Sequence, residues 1–153
     1  METALYLLLC LPVRMGGYGI PKPLLNPLVI VEQASGTKSC YPDLYWKGSS
    51  IDMEYSSDWA HTGVSANYLD SRRLTAIVCN DIDYLSVTSG QLRRPNDLND
   101  AARGLARKLK HRIRNTNKNW EKKRAKLRLD VLPKNFEKNA KFDGIDESWP
   151  NAS

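Results

Sequence analysis

Cysteine is scarce in this 153-residue chain: Cys10, Cys40 and Cys79 stand at wide spacings and form no C-x-x-C pair. An odd count of that kind excludes a disulfide-stapled scaffold and a zinc ribbon, and it points to a reducing, cytoplasmic compartment. Long apolar runs are missing too. None reaches the ~18 residues needed to cross a bilayer, so no membrane partner is expected. There is no internal repeat, and histidine occurs only at His61 and His111. What is present is ordinary for a globular chain: 41% hydrophobic and 26% charged residues, which excludes collagen-like, mucin-like and wholly disordered classes. The length suits one compact domain with an appendage.

The opening Ala4–Val13 stretch has the apolar character of a signal peptide but the wrong flanks. Glu2 occupies the place of a basic leader, and Met-Gly-Gly-Tyr-Gly follows instead of a small-residue cleavage site. It reads as a buried helix over Glu2 to Arg14. No capping residue precedes it, which reads as a piece of a longer protein.

The charge is unevenly spread. Residues 101–138 carry 14 Lys/Arg against 3 Asp/Glu, whereas the remainder is net acidic. An acidic body with a basic arm selects nucleic acid, DNA first, or an acidic protein as partner; the plain alternative is a solvated lysine-rich tail.

Periodicity then orders the elements. Residues 16–27 read as an extended connector, 28–32 as a strand and 33–39 as a turn-rich loop. Strands near 42–47 and 51–55 pair through Lys47-Gly-Ser-Ser50 as a tight hairpin. A helix over 64–79 and a strand over 83–88 follow. The strongest signal is a helix over 97–114, whose Leu98, Ala101, Ala102, Leu105, Ala106, Leu109 and Ile113 share one apolar face. Arg103, Arg107, Lys110 and Arg114 form a separate basic stripe on it. The fold class is therefore α/β: one small mixed sheet made of these four strands and flanked by helices, domain 1–114, with a basic, partly helical or disordered tail over 115–153.

The chemistry-bearing residues gather at the hairpin. Asp43 opens one strand, and Asp52-x-Glu54 lies within the next, where alternation puts positions 52, 54 and 56 on one face. Asp43 and Glu54 are thereby close enough to share Mg²⁺ or Mn²⁺, a hard cation that can polarise a phosphodiester and activate water. Surface carboxylates on an edge strand are the competing reading. Tyr45, Trp46 and Trp59 could stack on bases or fill the core.

Taken together, Pro42-Asp43, Ile51-Asp-Met-Glu54-Tyr, His61, Asp70-x-Arg72-Arg73 and Tyr84-Leu-Ser-Val-Thr88 resemble the bacterial DUF559 or Vsr-like branch of the PD-(D/E)XK nuclease superfamily. The resemblance covers roughly residues 1–113 and implies a restriction-endonuclease-like core. It also implies a catalytic set of Asp43, Glu54 and His61, metal ligands Asp43, Glu54 and Glu2, and DNA contacts from Arg72 and Arg73. One departure stands out. The lysine of the family's E-x-K motif would fall at position 56, which is Ser56, and the alternative register places Glu54 there. Neither supplies the ammonium that would stabilise developing charge; Lys47 could do so only if the hairpin carried it inward. Three functions compete: a metal-dependent DNA endonuclease, a catalytically degenerate nuclease-fold module binding DNA or protein, and a plain structural module.

Overall fold

The computed structural model describes residues 1–56, 64–114 and 119–134, with only the backbone of 64–70. Helix α1 spans Glu2–Cys10 and buries Ala4, Leu5, Leu8, Leu9 and Cys10. It is shorter than the apolar run predicts. Leu11 precedes Pro12 and is extended (φ −61°, ψ 146°), because the proline ring disfavours helical geometry in the residue before it. A single 3₁₀ turn, Val13–Met15, reverses the chain, and the amides of Tyr18, Gly19 and Ile20 donate to the carbonyls of Leu8, Leu11 and Leu9. These bonds satisfy the open carboxyl end of α1 and pack the start of the expected 16–27 connector against that helix.

Strand β1 is only Leu24–Leu25. Strands β2 (Val29–Gln33) and β3 (Gly36–Cys40) form a separate antiparallel ribbon. β4 (Leu44–Trp46) and β5 (Ile51–Ser56) follow, then α2 (Val64–Cys79) and β6 (Asp83–Thr88). The main sheet has the order β1-β4-β5-β6; β4 is antiparallel to β1 and β5, and β5 runs parallel to β6 with α2 as the crossover. The expected strand at 28–32 therefore exists but lies outside this sheet, pairing with a segment read as loop. Gly36 (φ 114°) supplies the left-handed residue the ribbon's turn requires.

The carboxyl-terminal part comprises α3 (Ser89–Arg93), α4 (Pro95–Lys108) and α5 (Trp120–Val131). Thr88 and Gln91 form a capping box that starts α3. α4 ends at Lys108, five residues before its apolar periodicity does at Ile113. The amide of His111 donates to Ala106 and that of Lys110 to Arg107, with Lys110 left-handed at φ 51°: a Schellman closure. Lys110 and Arg114 are thus not on the helix that carries Arg103 and Arg107, and the four-residue stripe is broken in two.

Helix α5 is no appendage. Trp120 and Leu127 are buried in the same core as α1, and the Trp120 indole donates to the Gly17 carbonyl at 3.0 Å. A Cβ on Gly16 would meet the α5 backbone at Lys123. The compact unit therefore runs past the expected boundary at 114, to 134 among the described residues.

The main sheet divides the interior. On one face, Leu44, Trp46, Ile51, Met53 and Val87 pack with α1, α4 and α5. On the other, Tyr45, Ile82 and Tyr84 pack with Ala76 and Ile77 of α2 and with Val31 and Cys40 of the ribbon. Asn80 ties the ribbon to the end of α2 by accepting from the Glu32 amide and donating to the Glu32 carbonyl, each at 2.8 Å.

Candidate functional site

The register of β4 against β5 pairs Leu44 with Met53 and Tyr45 with Asp52, so its next step sets Asp43 opposite Glu54. Paired residues share a face, and Asp43, Asp52 and Glu54 accordingly belong to the side of the sheet covered by α2. On the parallel side, Tyr84 pairs with Asp52 and Ser86 with Glu54. The Asp43 carboxylate accepts from the Tyr55 amide at 2.9 Å, which anchors the entrance of β4 to β5. Asp52 is 2% exposed, and its Oδ1 accepts no hydrogen bond.

Arg73, one turn and a half before the end of α2, closes over this group. Its two terminal nitrogens each contact a different Glu54 oxygen, Nη1 to Oε2 at 3.1 Å and Nη2 to Oε1, a two-pronged ion pair. Tyr84, on the neighbouring strand, also favours the ionised form of Glu54. The balance is three carboxylates against one guanidinium. Burial pushes the Asp52 carboxyl up to about 7; Glu54 and then Asp43 add to that effect, and Arg73 opposes it. Glu54 is likewise raised by burial, with Arg73 as the chief opposing influence.

Would these groups hold Mg²⁺ or Mn²⁺? Both Glu54 oxygens already face Arg73, and one Asp43 oxygen faces the Tyr55 amide. Among the described residues, no three Asp, Glu, His or Cys side chains come together as a metal-holding group. Glu2 thus does not complete a set with Asp43 and Glu54. It stands exposed at the start of α1, the helix packed on the opposite face of the sheet. The arrangement does not fit a divalent cation unless Arg73 leaves Glu54. His61 and Trp59 lie outside the described residues.

The remaining expectations divide as follows. Arg73 is engaged with Glu54 instead of facing outward, whereas Arg72 is exposed. Arg103 and Arg107 are exposed on α4, Lys110 sits on the left-handed corner, and Arg114 lies in the irregular segment after it. Because α4 packs on the α1 side, these basic residues and the carboxylates belong to opposite sides of the sheet. Tyr45 and Trp46 are buried, and the Trp46 indole donates to the Pro21 carbonyl at 2.6 Å, so neither is a stacking platform. The Lys47 amine lies on an exposed residue of the 3₁₀ turn Lys47–Ser49 that joins β4 to β5. No helix among the described residues is long and apolar enough to cross a membrane.

Two partners were not singled out from the sequence. Tyr84 sits directly across from Asp52 in the parallel ladder, a pairing that local spacing cannot reveal. Asn99, by contrast, binds the Tyr18 hydroxyl at 2.7 Å and the Arg124 guanidinium, fixing α4 to α5. Comparisons of this chain with protein-family models, with curated proteins and with solved structures find no match.

Proposed function

We propose that this chain is a nuclease-like α/β module that binds duplex DNA without hydrolysing it. The observation that carries the reading is the separation across the sheet: the exposed cations of α4 belong to one side, and Asp43, Asp52 and Glu54 to the other. A duplex lying along Arg103 and Arg107 has its backbone on the wrong side of the sheet for those carboxylates. Two further features agree. Arg73 supplies to Glu54 the positive charge that a metal ion would otherwise bring, and Ser56 stands where the resemblance calls for lysine. The nuclease-like part rests on the helix, antiparallel strands, crossover helix and parallel strand arranged around Asp43 and Glu54.

An active metal-dependent endonuclease is the second reading, favoured by the gathering of Asp43, Asp52 and Glu54 on one face. One experiment separates them. Supercoiled and linear duplex DNA are incubated with the protein in Mg²⁺, Mn²⁺ or chelator, and retardation and nicking are read on the same samples. Retardation without nicking is the expected result. Metal-dependent nicking that disappears in Asp43→Asn and Glu54→Gln would overturn the non-hydrolytic reading, and absence of retardation at low salt would overturn the DNA reading.

A further inference from the structure

The Schellman closure of α4 has an effect beyond ending the helix. After the left-handed turn at Lys110, His111, Arg112 and Ile113 share a cleft of about 600 Å³ with the last turns of α4 and the start of α5. Arg103, Arg107, His111 and Arg112 line it, with Asp100 as its single acidic residue; Tyr18 and Trp120 form its apolar floor. None of the three arginines is ion-paired among the described residues. Both rings of the floor are already packed, Trp120 against the Arg124 guanidinium at 4.6 Å and Tyr18 edge-on to Trp120 at 5.6 Å. The cleft therefore offers concentrated charge and forked donors, not a stacking surface.

The helix dipole favours cations at this end, which accounts for Arg107 and its successors. It does not account for Arg103, which lies more than a turn before the last carbonyls, where that influence has faded. Nor does it explain a left-handed lysine where glycine would close the helix without strain. Three guanidiniums around one cavity exceed what a single phosphodiester, with one negative charge, requires. They match a group carrying two or more charges on closely spaced oxygens, which guanidinium forks bind in pairs.

We infer that this cleft is a seat for a phosphomonoester or pyrophosphate group. The chemistry has two sources, the 5′-phosphate end of a nucleic acid and a free nucleotide. The nucleic-acid source rests on the DNA-binding reading above; the seat itself does not.

The test uses the full chain with inorganic pyrophosphate as probe, followed by calorimetric titration at low salt. Saturable one-site binding is expected. The triple variant Arg103→Gln/Arg107→Gln/Arg112→Gln should weaken it at least about tenfold, the loss of a charge-assisted contact. Lys122→Gln/Lys126→Gln/Lys134→Gln removes equal charge from exposed positions elsewhere and should change it less than about twofold. No saturable binding, or equal losses in both triple variants, overturns the seat. All substituted residues are exposed; if the first triple variant melts early, Arg107→Gln and Arg112→Gln are read singly against the same criterion. Duplexes ending in 5′-phosphate or 5′-hydroxyl, and a nucleoside triphosphate, form the remaining arms. Preference for the 5′-phosphate assigns the nucleic-acid source. Nucleotide binding with no such preference assigns the free one. The 5′-hydroxyl duplex reports DNA binding separately: in the unsubstituted chain, duplex binding without saturable pyrophosphate binding overturns the seat alone, and pyrophosphate binding without duplex binding overturns the DNA reading alone.

Discussion

Arg73 of α2 and Glu54 of β5 face each other as a two-pronged ion pair, 19 residues apart in sequence and joined across the crossover. Glu54 retains only 14% side-chain exposure, and Arg73 retains 32%. Removing the cation leaves a nearly buried carboxylate beside Asp52 and Asp43, whereas removing the anion leaves a cation that can turn to water. Arg73→Ala should therefore destabilise the fold by about 2–4 kcal/mol, and Glu54→Gln by clearly less. Urea denaturation of both variants and of the double variant measures the difference. Equal losses would mean that Glu54 is solvated and that the pair is not what closes this face.

Asp52 gives the site a pH dependence of definite sign. Its carboxyl moves from an ordinary 3.8 to about 7 on folding, and Glu54 also rises. The folded chain thus holds protons that the unfolded chain has released between those values. Unfolding free energy should fall as pH rises from about 4 to 7 and level off above that, with an amplitude on the order of 2–4 kcal/mol. Asp52→Asn should flatten the profile and make the protein more stable than the parent at pH 8. Denaturation midpoints at pH 5, 6, 7 and 8 decide it, and a parent profile that rises through this window contradicts a buried Asp52 whose Oδ1 accepts no hydrogen bond.

Trp120 fixes the last helix to the first. The residue is 7% exposed, its indole reaches Gly17, and Arg124 covers its face. Trp120→Ala should cost about 3–5 kcal/mol by cavity formation and loss of the indole bond. A chain ending at Arg114 should lose cooperative unfolding or melt well below the full chain. Indifference of the melting temperature to either change would restore the picture of an independent basic tail.

The main elements were legible in the sequence because short-range periodicity carries them: the apolar opening helix, the strands at 44–46 and 51–56, and the amphipathic α4 all occur, although α1 stops at Cys10 and α4 at Lys108. The shared face of Asp43 and Glu54 followed from alternation and one hairpin. Less legible was anything set by a long-range partner. Leu24–Leu25 is too short to announce a strand and becomes one by pairing with β4. The Gly36–Cys40 strand is exposed at four of five positions and so lacks the alternation that marks a half-buried strand. α5 hides its core contacts, because only Trp120, Leu127 and Arg128 are buried in a helix that is otherwise mostly charged and leaves Leu129 exposed. Arg73 was visible as a cation, but nothing within its helix names Glu54 as its partner.

The end of α4 shows how a favourable face can mislead. Leu109 and Ile113 do pack against the core, but as the cap and the segment beyond it, not as helical residues. A left-handed Lys110 costs about 1–2 kcal/mol relative to glycine, which has no Cβ to clash at this position. Lys110→Gly should therefore raise stability by that amount, and Lys110→Val should lower it by more. Thermal melts of the two variants suffice, and stabilisation by valine would place Lys110 inside the helix after all.

That same break divides the basic stripe, with a consequence for the DNA binding proposed above. Arg103 and Arg107 lie one turn apart on α4 and are both exposed, so a phosphate backbone can engage them together. Lys110 and Arg114 follow the corner and are held by a different stretch of chain. Each phosphate contact releases condensed counterions and contributes about 0.9 to the slope of log affinity against log salt. Arg103→Gln/Arg107→Gln should lower the slope by nearly two units and weaken binding to unrelated duplexes alike, since phosphate contacts carry no sequence information. Lys110→Gln/Arg114→Gln should lower it by no more than about one unit, as two cations no longer aligned on one helix face. Anisotropy titrations of two unrelated duplexes at three or more salt concentrations measure both quantities. A slope unchanged by Arg103→Gln/Arg107→Gln would remove α4 from the proposed DNA-binding surface, and equal slopes for the two double variants would mean that the four cations act as one stripe despite the turn at Lys110.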